Sequence, residues 1–124
     1  MGAALAIAAG LFDVGIGLFH LGFWRLFRWR EQLPRLSALN AAVMQALNVS
    51  ITLLAFIVGG LLVAHAAELP RIALGRELLV LMAGFWIARA LQQAVFFGLR
   101  HAASAGFALL WLLGAALHAL PVLV

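Results

Sequence analysis

Four long apolar stretches separated by three short polar turns constrain this chain more than any single residue does. The turns fall at about 31–35, with Pro34, at 68–76, with Pro70, and at 100–104. Between them lie spans of about 3–28, 37–65, 76–99 and 102–124. At about 1.5 Å per residue, each span is long enough for roughly 30 Å of hydrocarbon. Backbone inside a bilayer must satisfy its own hydrogen bonds, and the spans lack the period-two alternation of outer-membrane barrel strands. The expectation is therefore an all-α fold: one four-helix transmembrane domain over residues 1–124, with sequential helices antiparallel because their connections are short.

Composition supports the same solvent. Of 124 residues, 67% are hydrophobic and 10% charged, whereas a soluble domain is about a quarter charged. The net charge of +4 does not point to nucleic acid. Five of the eight arginines, Arg25, Arg28, Arg30, Arg35 and Arg100, flank apolar spans instead of forming a broad water-facing patch. With no cysteine, disulfides, thiolate metal sites and cysteine nucleophiles are excluded. The first apolar run has no basic residue before it and is too long for a cleaved signal, so it is expected to persist as a helix.

Arginine asymmetry sets an expected orientation. The first and third turns carry those five arginines, while the second carries Arg71 and Arg76 beside Glu68 and Glu77. Positive residues are retained on the cytoplasmic side, which puts both termini outside, in a bacterial-type inner membrane. Residues 23–30 alternate aromatic rings with arginines and read as an interfacial collar.

The residues that should not lie in hydrocarbon carry the functional signal. Asp13 is deep in the first span and Arg89 near the middle of the third. Each costs about 2.5–3.5 kcal/mol to insert alone. Antiparallel packing brings them within roughly one helical turn of the same depth, so an intramembrane Asp13–Arg89 ion pair is expected to face the bundle interior. On its bland reading this pair only fixes helix order.

Asp13, Gly17, His20 and Trp24 share one face of the first helix. Gln45, Asn48 and Thr52 form a stripe on the second, and Gln92 and Gln93 follow Arg89 on the third. His20, Asn48 and the Gln92/Gln93 pair fall at similar depth, which offers a polar layer of mutual hydrogen bonds or a pocket for a polar head group. The glycines Gly10, Gly17 and Gly22, with Gly15 on another side, suit close helix approach.

Other chemistry is thinly supported. The four histidines give no close metal-ligand spacing, and the pair best suited to a bis-histidine haem is His65 with His118. Ser37 and Ser104 stand where helix caps belong. No catalytic residue, metal ligand or cofactor is specified, and whether the chain is an enzyme is left open. The expected site comprises Asp13, His20, Asn48, Arg89 and Gln92, binding a small amphiphilic or anionic molecule within the lipid bilayer. Alternatives are a non-catalytic assembly subunit, joined to a membrane-protein partner or to copies of itself, and a redox protein carrying haem or quinone.

Overall fold

A computed structural model describes residues 1–124 as an all-α bundle with four long helices. The long helices are α1 (Gly2–Leu21), α4 (Ala38–Ala64), α5 (Ala73–Gln92) and α6 (Ala102–Leu123). Two one-turn helices, α2 (Phe23–Leu26) and α3 (Trp29–Gln32), lie in the first connection. All four long helices are long and apolar enough to cross a membrane, with mean hydropathy of 1.5 to 2.3 over their best windows. Only 25 of 124 residues are buried, and the outer surface is rich in exposed Leu, Val, Ile and Phe. That inversion is stable where the surrounding solvent is itself apolar.

The element ends follow local chemistry. Ser37 caps α4 as expected, its hydroxyl accepting from the Asn40 amide at 3.3 Å. Pro34 and Pro70 each sit in a short 3-10 turn ahead of a long helix. The first span is not continuous to residue 28: it breaks at Gly22, whose N–H tightens onto the Phe19 carbonyl, and the chain reverses at Arg28 with φ of 51°. The aromatic collar is thereby folded. Trp29 is buried, its ring edge-on to Trp24 at 4.8 Å, so it packs inward and not toward head groups. At the other end of the third span, α5 gives way to one π-helical turn, Gln93–Phe97, that ends at Gly98.

The four long helices lie in the order α4, α1, α6, α5, with α1 gripped between α4 and α6. At the α1–α4 crossing Gly10 meets Gly59. A Cβ added to either would lie 2.6 Å from the carbonyl oxygen of the other. Lipid gives apolar helices no hydrophobic reason to associate, so such close approach, with its dispersion contacts, is what fastens them. By contrast, α4 and α5 scarcely touch. The row curves without closing, and a seam is left between the second and third spans.

Candidate functional site

The seam leads into a cavity of about 310 Å³ lined by all four long helices. Its α4 wall is apolar, from Ile51, Leu54, Ala55 and Val58. Its polar groups are Asp13 and His20 from α1 and Arg89 and Gln92 from α5. Four of the five expected site residues thus line one space. Asn48 does not; it lines an adjoining cavity of about 430 Å³ that also reaches His20, Arg89 and Gln92.

The charge pairing differs from expectation. Asp13 does not bond Arg89. It is 1% exposed, and its Oδ2 lies 3.1 Å from Nε2 of His118, which is fully buried on α6. Close contacts set the register of these antiparallel helices: Gly2 meets Pro121, Phe12 meets Gly114, and the Phe19 and Phe107 rings lie 5.7 Å apart. Asp13 is therefore level with a residue roughly one and a half to two turns short of His118. Side chains on a helix lean toward its N-terminus. In antiparallel neighbours the two leans are opposed, so Asp13 and His118 reach toward each other and close the gap.

His118 is held by its other nitrogen as well. Nδ1 lies 2.8 Å from the Gly114 carbonyl, which can only accept, so Nδ1 carries a hydrogen. With both ring nitrogens engaged, this imidazole has none to offer an iron. His65 follows the C-terminal end of α4, exposed and against Glu68 at 3.3 Å.

Arg89 finds an aromatic partner in place of a carboxylate. Its guanidinium carbon lies 4.9 Å from the ring centroid of Trp111, which stacks on Trp86 with centroids 5.4 Å apart and planes 7° from parallel. A cation over an indole face gains about 0.5–2 kcal/mol, the upper end where water is excluded. No acidic side chain lies within salt-bridge distance of Arg89. The guanidinium also borders a second cavity of about 520 Å³, walled by Phe19, Phe23, Phe27 and Trp29.

The anticipated layer of mutual bonds among His20, Asn48 and the glutamines is not formed. The His20 ring bonds the Ile16 carbonyl at 2.8 Å, and the Asn48 amide donates to the backbone carbonyl of His20 at 3.2 Å. Gln92 is exposed along the cavity mouth, whereas Gln93 is the buried member of the pair. Gln93 donates to Ser104 at 2.9 Å and accepts from the Trp111 indole at 3.4 Å. Ser104 therefore joins α5 to α6 and passes its own hydrogen to the Gly98 carbonyl, instead of capping α6.

Sequence reasoning missed His118, Trp86 and Trp111. The indoles gave no signal beyond aromaticity, but His118 could have been found by adding side-chain lean to backbone depth. Three buried polar atoms have no hydrogen-bond partner: Asp13 Oδ1, Trp86 Nε1 and Asn48 Oδ1. The first two belong to residues that line the central cavity. No protein family, curated protein or solved structure matches the chain, so its chemistry rests on these residues alone.

Proposed function

We propose that this protein binds a small anionic amphiphile within the membrane, its head at Arg89 and its tail along the seam between α4 and α5. The observation that carries this reading is the pairing of the buried charges. Because Asp13 is engaged by His118, the Arg89 guanidinium borders the cavity with an aromatic ring beneath it and no carboxylate beside it. A fork of N–H donors on an apolar-walled space matches a carboxylate or phosphate on an alkyl chain. His20, Gln92 and, from the adjoining cavity, Asn48 orient the head group. Arginine distribution supports a bacterial-type inner membrane with both termini outside, which puts Arg89 in the half of the bilayer toward the cytoplasm.

The test is binding of dodecyl phosphate to the purified protein in phosphatidylcholine nanodiscs. Arg89→Met is expected to weaken it about 10- to 100-fold, as for loss of a charge-assisted hydrogen bond of about 1.5–3 kcal/mol. Arg71→Gln, in the second turn, serves as the control. Equal affinities for wild type and Arg89→Met would remove the role assigned to the guanidinium.

The open seam also favours a second reading, in which a partner helix or another copy of this chain covers α4 and α5 and the protein is an assembly subunit. A stoichiometric membrane partner recovered in a native mass spectrum, with no bound amphiphile, would favour it.

A further inference from the structure

The His20 ring is built to do more than orient the head group, an assignment that rests on the binding reading above. Its Nδ1 lies 2.8 Å from the Ile16 carbonyl, which can only accept, so Nδ1 carries a hydrogen. The ring stacks on Phe23 with centroids 4.5 Å apart, which fixes its plane. Nε2, across the ring, makes no hydrogen bond, and unlike Asp13 Oδ1 and Trp86 Nε1 it is not sealed from the space around it. That space is the pair of adjoining cavities that His20 lines together with Arg89 and Gln92. Arg89 is near enough for its charge to act on the imidazole.

With Nδ1 already protonated, Nε2 has two states: a lone pair when the ring is neutral and a second N–H when it is a cation. Imidazole is the side chain that changes charge between about pH 5 and 8. In the empty site the ring shares its cavities with a guanidinium, and the one carboxylate on them, Asp13, is bonded to His118. The remaining charges stand elsewhere. No residue of α4 titrates and His118 is the only one of α6 that does; Arg76 and Glu77 lie at the far end of α5; Arg28 and Glu31 pair on the first connection, where Arg25 and Arg30 are exposed. An anion seated at Arg89 changes the balance, because it offsets the guanidinium charge and presents oxygens that accept from an Nε2–H. We infer that His20 is the second ligand of the anion, taking a proton from solvent onto Nε2 and donating it to the head group, so that the site takes up a proton as it binds.

The test uses purified protein in maltoside micelles and dodecyl methyl phosphate, a phosphodiester that holds one negative charge throughout the range, so any proton taken up belongs to the protein. Calorimetry near neutral pH in two buffers of unlike ionisation heat is expected to show uptake of about half a proton or more. The anion favours the imidazolium, which therefore persists to higher pH in the complex than in the empty site. Affinity is thus full on the acid side and falls, by about tenfold in all, as pH rises through about 6 to 8, down to the value that Arg89 sustains alone. His20→Asn keeps an amide N–H for the Ile16 carbonyl but has no atom in place of Nε2. It should bind at the alkaline affinity of the wild type at every pH and take up no proton. Uptake that survives in His20→Asn would pass the proton to another group, the Asp13–His118 pair first, and overturn the inference. Binding without uptake in the wild type would overturn it too and leave the Arg89 reading standing. No binding at any pH would remove that reading and this one with it.

Discussion

Asp13 is 1% exposed and has an imidazole 3.1 Å away, whereas Arg89, half-buried on the same cavity, has an indole face under its guanidinium and no carboxylate near it. The two residues carry opposite charges, and their side chains could have answered one another. That they do not separates two tasks that a direct pair would have merged. At the Asp13 end, α1 is tied to α6 by a bond both partners need, since either group alone in hydrocarbon costs several kcal/mol. At the Arg89 end the cation is stabilised by ring faces, which leave its N–H fork available. The first arrangement is a fastening; the second is the receptor proposed above.

The contrast is tested most severely by removing the fastening. His118→Ala leaves Asp13 buried with no partner and is expected to lower stability by about 3–5 kcal/mol, as for breaking a buried pair from one side. Unfolding in mixed detergent micelles measures it. Asp13→Asn, whose amide can donate to Nε2, should lose less than half as much. If His118→Ala proved no worse than Arg89→Met, the two ends would not differ in kind.

A smaller effect is expected where the bundle is fastened by shape alone. Gly59→Ala places a methyl 2.6 Å from the Gly10 carbonyl, so α1 and α4 must separate. Overpacking of this kind costs about 1–3 kcal/mol. The same unfolding assay reads it, and the matching change Gly60→Ala is the control, because a Cβ there meets nothing within 4 Å. Equal stability of the two variants would show that the Gly10–Gly59 contact does not hold the crossing.

These comparisons also show what the sequence could convey. The number of spans and their approximate limits were legible because hydrocarbon thickness and Arg- and Pro-bearing turns act on every residue of a segment, although the first helix ends at Leu21 and not near residue 28. The partner of Asp13 was not, because depth measured along the backbone matched Asp13 to Arg89 and passed over His118, roughly one and a half to two turns away in level but reached by opposed side-chain lean. The choice between Gln92 and Gln93 was equally out of reach. Neighbours on a helix point about 100° apart, and only the position of α6 decides that Gln93 turns inward to Ser104 and Trp111 while Gln92 stays at the cavity mouth.

The smallest expected stability change belongs to the residue with the largest expected binding effect. Arg89→Met removes a cation–π contact but no ion pair, and it leaves an apolar chain where the seam is apolar. Its effect on unfolding is expected within about 1 kcal/mol, the scale of a partly exposed cation–π contact. A receptor group differs from a fastening in this respect: the fold does not depend on it, so its stability cost and its binding cost come apart. Were Arg89→Met to unfold the protein as readily as His118→Ala does, the guanidinium would be a structural element, and the cavity it borders would lose its argument for an anion.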